Sequence, residues 1–165
     1  MTSKKILEKC RLIKLVITDV DGVLTDGGMY YSEKGEVLKK FNARDGMGVE
    51  ILLQNKIKTI LLTRENSNIA KKRGSKIKTA ATYIGILNKK SQLKKISKKF
   101  KVPLARIAYV GDDLNDLEIM KLVGFAATPL DGVKDLQKIA DYVCKNNGGH
   151  GAFREIADLI VLSRR

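Results

Sequence analysis

Two aspartates one residue apart, Asp19 and Asp21, close an apolar run and are followed at once by Gly22. Far downstream, Asp112, Asp113 and Asp116 gather behind Gly111 at the end of another apolar run. Taken alone, Asp-x-Asp-Gly also describes a strand end whose acids face water. The downstream cluster argues for more, because an unpaired buried carboxylate is very costly: these acids hold a cation, do chemistry, or both. Thr63 and Lys89 lie between the two groups, at the end of a third apolar run and the start of a basic stretch. Oxygen ligands with no histidine or cysteine nearby favour a hard ion, and Mg²⁺ fits best. Carboxylates, Mg²⁺, a hydroxyl and a lysine suit phosphoryl transfer, in which the protein mostly positions and neutralises charge. One carboxylate could attack phosphorus and become an aspartyl phosphate, since it is already ionised at neutral pH. A second acid two residues on could protonate the leaving oxygen and then activate water.

These groups meet only if strand ends bring them together. The apolar run predicts a buried strand from Ile13 to Thr18 that ends at the acids. A helix from Ser3 to Arg11, with Ser3 as N-cap, precedes it. Residues 27–42 read as a hairpin turning at Ser32-Glu33-Lys34-Gly35, then Met47 to Gln54 as a helix capped by Asp45. Alternation follows: strands at Ile57–Thr63, Ala80–Ile84, Arg106–Val110, Phe125–Thr128 and Tyr142–Cys144, the last at an edge. Helices fall at Asn66–Ile77, Asn88–Phe100, Leu114–Val123, Gly132–Ala140 and Ala152–Leu162, the last after a glycine-rich loop at Asn146–Gly151. The expected fold is α/β: a doubly wound, mostly parallel sheet with helices on both faces, as one domain over residues 1–165. In such sheets ligands gather outside the carboxyl ends of the strands, where Asp19, Asp21, Thr63, Asp112, Asp113 and Asp116 are all expected.

Composition excludes other classes. The 165 residues are 44% hydrophobic and 30% charged with only two prolines, so the chain is neither disordered nor collagen-like. No apolar segment approaches membrane-spanning length, and the basic start lacks the apolar core of a secretory signal, so a cytoplasmic protein with no membrane partner is expected. Cys10 and Cys144 suggest neither a disulfide framework nor a metal knuckle. The net charge of +14 raises nucleic acid as a partner, but the lysines are spread along the chain. Their densest run, residues 89–101, alternates with Leu93, Ile96 and Phe100 at helical spacing, a solvated basic face with few aromatics. Attraction to anionic metabolites accounts for the charge, and no nucleic-acid partner is expected.

Asp19-Val20-Asp21-Gly22, Thr63, Lys89 and Gly111-Asp112-Asp113-Leu114-Asn115-Asp116, in this order, resemble the haloacid dehalogenase-like phosphatases. The resemblance implies that Asp19 is the nucleophile and a Mg²⁺ ligand. It implies that Asp21 is the general acid/base with its backbone carbonyl on the metal, and that Asp112 completes the metal site. Thr63 and Lys89 would bind the phosphoryl group, while Asp113 and Asp116 would orient the ligands and Lys89. One departure stands out: the superfamily often has glycine after the motif-two hydroxyl, and here Thr63 is followed by Arg64. Relatives usually close the site with an inserted cap domain. Asp21 to Thr63 holds only a hairpin and a helix, and Thr63 to Lys89 only a helix and a short strand, so no cap fits.

Asp26-Gly27, Phe41 to Gly48, Tyr109 to Leu114 and Gly148-Gly149-His150-Gly151-Ala152-Phe153-Arg154-Glu155 narrow the resemblance to the 3-deoxy-D-manno-octulosonate 8-phosphate phosphatases. Members are capless tetramers whose hairpins form the oligomer core and whose neighbouring subunits help close each site. A homotetramer is therefore implied, with Met29, Tyr31, Val37 and Leu38 of the hairpin in contact between subunits. Arg44 and the Gly148–Gly151 loop, Gly149 included, become candidates for contacting a phosphorylated sugar acid. Glu65 and Lys76 stand where relatives acting on nine-carbon acids carry Glu and Lys, whereas Arg44-Asp45-Gly46 is closer to the eight-carbon type. The expected activity is Mg²⁺-dependent release of the terminal phosphate of a 3-deoxy-2-ulosonic acid, the eight-carbon acid favoured. The 9-phosphates of 2-keto-3-deoxynononate and N-acylneuraminate are the alternatives. From another class, a receiver-like phospho-binding or non-catalytic module would put its acid pair and its phospho-acceptor on different strands, so Asp21 discriminates against it.

Overall fold

The computed structural model describes residues 3–164. Six strands form one sheet: β1 (Leu15–Thr18), β4 (Lys58–Leu62), β5 (Ala81–Tyr83), β6 (Ile107–Val110), β7 (Phe125–Thr128) and β8 (Tyr142–Val143). Their spatial order is β5-β4-β1-β6-β7-β8, and every pairing is parallel. The hairpin stands apart as a two-stranded antiparallel sheet of β2 (Tyr30–Ser32) and β3 (Gly35–Leu38). No helix among the described residues is long and apolar enough to cross a membrane.

Both faces of the sheet are covered, which is why β1 is buried at every position and apolar up to its last residue, Thr18. Side chains alternate faces along a strand. Val16 points into one core with α1 (Lys4–Leu12), α2 (Ala43–Gln54), α3 (Asn68–Lys76) and α7 (Ala152–Leu162). Leu15 and Ile17 point into the other with α4 (Lys89–Phe100), α5 (Leu117–Met120) and α6 (Lys134–Ile139). The chain winds outward from β1 first in one direction, through β4 and β5, and then in the other, through β6 to β8. The winding therefore reverses between β1 and β6, and the crevice at such a reversal is where doubly wound sheets bind ligands.

The helix starts follow their caps, with one correction. Ser3, Ser67 and Asn88 accept the backbone N–H groups of Ile6, Ala70 and Ser91, capping α1, α3 and α4. Asp45 does not cap its own helix: Asn42 does, accepting the Arg44 N–H at 2.8 Å. Asp45 lies buried in the first turn of α2, and its Oδ1 accepts the Arg154 N–H of α7 at 2.9 Å. The α7 helix starts at Gly151, which has no side chain to cap with, so the cap comes from a neighbouring helix. The helix expected over Leu114–Val123 is also shorter. It opens as a 3-10 turn over Leu114–Asp116, continues as α5 for four residues, and ends before Gly124 lets the chain enter β7.

Candidate active site

The carboxyl ends of the central strands converge on a cavity of about 600 Å³, lined among others by Asp19, Asp21, Thr63, Glu65, Asp112 and Asp113. Arg64 also lines it, so the departure after Thr63 puts a cation on the wall of an otherwise acidic pocket. Asp19 follows β1 directly, and its N–H donates to Val110 O of β6 at 2.9 Å, which ties the two strand ends together. The residue is 4% exposed; its Oδ1 accepts the Val20 N–H at 2.7 Å and its Oδ2 accepts Lys89 Nζ at 2.7 Å. Lys89 opens α4 and is buried behind the cavity wall. Its ammonium also donates to Asp116 Oδ1 at 2.6 Å.

Asp116 is fully buried and its acceptors are in use: Oδ1 takes Lys89 and the Tyr109 hydroxyl at 2.5 Å, and Oδ2 takes the Asp112 N–H at 3.1 Å. Of the two acids expected around Lys89, Asp116 contacts it and Asp113 does not. Asp113 Oδ1 accepts the Leu114 N–H at 2.7 Å and starts the 3-10 turn that carries Asp116 back beneath Lys89. Tyr109 was missed from sequence, because a tyrosine in an apolar strand reads as core.

Asp19, Asp112 and Asp116 each offer a carboxylate oxygen within 4.8 Å of the others. Three carboxylates against the one ammonium of Lys89 leave two negative charges, which one divalent cation neutralises. Without a cation the crowded carboxylates raise one another's pKa. Burial, then repulsion from Asp116, pushes Asp19 up to about 7 against the pull of Lys89. Burial, then Asp19 and Asp116, pushes Asp112 up to about 8. No side chain among the described residues donates to the Asp112 carboxylate, so its oxygens are free for an ion. An all-oxygen donor set with this charge fits Mg²⁺. Gly22 makes the approach of Asp112 geometrically possible: its φ is +81° and a Cβ there would lie 1.9 Å from Asp112 Oδ2.

Asp21 faces the other way. Its Oδ1 accepts Lys39 Nζ at 2.5 Å, and its Oδ2 lies 3.4 Å from the Thr63 hydroxyl. That hydroxyl, 1% exposed, also accepts the Glu65 N–H at 3.1 Å. The Asp21 side chain is thus not among the converging carboxylates. Asp19 and Asp21 close the same strand, unlike the acids of a receiver-like module.

Three expected substrate contacts do not reach this cavity within the chain. Arg44, at the start of α2, lies in a separate depression with His150 and Arg154. Lys76, at the end of α3, lines a groove with Arg73 and Glu50. Gly149 is buried and spends both backbone groups on its own chain, its N–H on Val23 O at 2.9 Å and its carbonyl on Asn42 Nδ2 at 3.1 Å. Of the four, only Glu65 lines the pocket.

Comparison with known proteins agrees with this geometry. Residues 54–156 match the haloacid dehalogenase-like hydrolase family. The 3-deoxy-D-manno-octulosonate 8-phosphate phosphatase KdsC of Escherichia coli K12 is 36% identical over 162 residues, covering 98% of this chain and 86% of the relative. The crystal structure of the Moraxella catarrhalis 3-deoxy-D-manno-octulosonate 8-phosphate phosphatase, in complex with magnesium, phosphate and KDO, superposes with a TM-score of 0.94 at 32% identity, covering 97% and 92% of the two chains. The cobalt-bound form of a Haemophilus influenzae deoxy-D-mannose-octulosonate 8-phosphate phosphatase superposes with a TM-score of 0.92 at 35% identity, covering 94% and 91%. With this similarity running through nearly the whole sequence and fold, the chain belongs to the 3-deoxy-D-manno-octulosonate 8-phosphate phosphatase family of haloacid dehalogenase-like hydrolases.

Proposed function

We propose that this chain is a Mg²⁺-dependent phosphatase that releases the terminal phosphate of 3-deoxy-D-manno-octulosonate 8-phosphate. The observation that carries the reading is the Asp19 carboxylate at the end of the central strand, held by Lys89 and the Val20 amide and faced by Asp112. Asp19, Asp112 and the Asp21 carbonyl would hold Mg²⁺, whose charge when bound offsets the repulsion between nucleophile and phosphate. An Asp19 oxygen attacks phosphorus; the ester P–O bond breaks, its electron pair passes to the sugar oxygen, and the Asp21 carboxyl supplies the proton. Water then attacks the aspartyl phosphate. Asp21 takes a proton from that water, and the electron pair of the breaking bond returns to Asp19. Lys89 offsets charge on the transferring phosphoryl oxygens and Thr63 donates to them, while Asp116 and Tyr109 hold Lys89 in place.

The substrate has a carboxylate as well as a phosphate, and among the described residues Arg64 is the one cation lining the cavity. Arg44 and the Gly148–Gly151 loop would complete recognition from a neighbouring subunit. We read the whole chain as one domain without a cap, acting as a cytoplasmic homotetramer. The exposed apolar residues of the hairpin, Met29, Tyr31, Val37 and Leu38, support that assembly.

The test is a phosphate-release screen with the eight-carbon 8-phosphate, the 9-phosphates of 2-keto-3-deoxynononate and N-acylneuraminate, and simple phosphoesters, each with and without Mg²⁺. The eight-carbon ester should give the highest kcat/KM, and chelation should abolish release. A higher kcat/KM for a nine-carbon ester would move the substrate to that class, the reading that Glu65 on the pocket wall favours.

A further inference from the structure

Lys39 belongs to no motif, yet its side chain is only 1% exposed and lies against the active site. It directly follows β3, at the end of the hairpin. Its ammonium donates to Asp21 Oδ1 and to Glu36 Oε1, each at 2.5 Å. Glu36 Oε2 in turn accepts the Ser67 hydroxyl at 2.5 Å, and Ser67 is the N-cap of α3. A continuous polar chain, Asp21–Lys39–Glu36–Ser67, therefore runs from the catalytic turn through the hairpin to the body of the domain.

This bears on one atom. With Oδ1 of Asp21 held by Lys39, Oδ2 is the oxygen left to carry a proton, and it is the one beside Thr63 Oγ1. Proton transfer to a leaving group requires the donor within hydrogen-bond reach of the oxygen it protonates, so a carboxyl free to rotate would lose rate without losing substrate affinity. We propose that Lys39 is a positioning residue for Asp21, and that through it the seating of the hairpin sets the geometry of the acid/base step. The proposal rests on the reading of Asp21 as general acid/base.

The test uses leaving groups that differ in their need for a proton. Alkyl phosphates such as the sugar-acid ester expel a strongly basic alkoxide, whereas p-nitrophenyl phosphate expels a stable phenolate. Lys39→Met should lower kcat/KM for the alkyl ester by about 100-fold, within the range general acid catalysis contributes, and for p-nitrophenyl phosphate by less than about 5-fold. Lys39→Arg should restore part of the alkyl rate. Adding Lys39→Met to Asp21→Asn should cost little more than Asp21→Asn alone, because the two act through one group. If Lys39→Met fails to fold, Glu36→Gln carries the test: it keeps the Lys39–Asp21 contact, removes a charged anchor, and should give the same substrate split at smaller size. Equal losses on both substrates, no loss, or full additivity with Asp21→Asn would overturn the proposal. The underlying reading fails separately: if Asp21→Asn itself shows no split, Asp21 is not the acid and this inference falls with it. If Asp21→Asn splits the substrates and the Lys39 and Glu36 variants do not, only the inference falls.

Discussion

The two walls of the active site are built from different materials. The inner wall, Asp19, Lys89, Asp116 and Tyr109, stands on central strands and on a helix packed against them, and every member is at most 4% exposed. The outer wall, Asp21 with Lys39 and Glu36, leans on a hairpin of two short strands that leaves Tyr31 60% and Val37 52% exposed. A two-stranded hairpin alone is marginal in water, and this one is tied down by ion pairs and hydrogen bonds: Lys39 to Asp21, Ser67 to Glu36 and Lys40 to Asp26. Asp19, the proposed nucleophile, is thus held on the hydrophobic core, and Asp21, the proposed acid/base, by polar tethers. Damage to the inner wall should cost rate and stability together, and damage to the outer wall should cost chemistry or assembly while the core stays folded.

Asp19→Asn is the largest break. It should lower turnover by about 10⁴-fold or more while the chain still folds, since the amide keeps the shape and loses the nucleophile. Phosphate release alongside circular dichroism checks this, and appreciable remaining turnover would remove Asp19 as nucleophile. Asp116→Ala tests the same wall through its support. It strips Lys89 of one of two carboxylates and leaves the Tyr109 hydroxyl without its acceptor. Breaking a buried pair in this way costs about 3–5 kcal/mol, readable as a lower midpoint in urea.

Metal removal gives a smaller effect with a definite sign. Asp19 and Asp112 titrate at about 7 and about 8 in the folded chain without metal, against an ordinary 3.8. The folded state therefore holds protons that the unfolded chain has released, so the stability these two groups contribute is fully present below the ordinary carboxylate range and is lost as pH rises through 7 to 8. Bound Mg²⁺ takes the place of those protons. The rise in Tm on adding Mg²⁺ should be larger at about pH 8 than at about pH 5.5, with each kcal/mol worth about 2–4 °C in a chain of this size. A Mg²⁺ effect that does not grow with pH would contradict the carboxylate set. The smallest effect on the core should come from the hairpin: Tyr31→Ser with Val37→Ser should reduce the mass seen by light scattering, yet change the stability of the isolated subunit by no more than about 0.5 kcal/mol per site.

The same division explains what could be read from sequence. Asp19, Thr63, Asp112 and Asp116 were legible because they end apolar strands or follow them by one turn, where pattern and chemistry coincide. The sheet was legible for the same reason, with strand ends misjudged by a residue or two. Lys39 was not legible: in a chain with 32 lysines and arginines, one lysine after a strand has nothing to mark it, and its partner Asp21 is brought to it by tertiary structure alone. Asp45 sat at a plausible cap position, but the donor it meets belongs to a helix more than a hundred residues away, Arg154 N–H. Arg44, Lys76 and Gly149 came from resemblance, and no local pattern says which cavity, or which subunit, they serve.

The glycine loop before α7 carries a consequence for how Asp21 is held in place. A methyl at Gly148 would lie 1.9 Å from Gly22 O, and one at Gly149 would lie 2.4 Å from Asp26 N, so this late segment rests backbone against backbone on the turn that presents Asp21. Lys39 braces the same turn from the hairpin, early in the sequence. The seating of Asp21 therefore depends on two segments far apart in the sequence, a hairpin before α2 and a loop before α7.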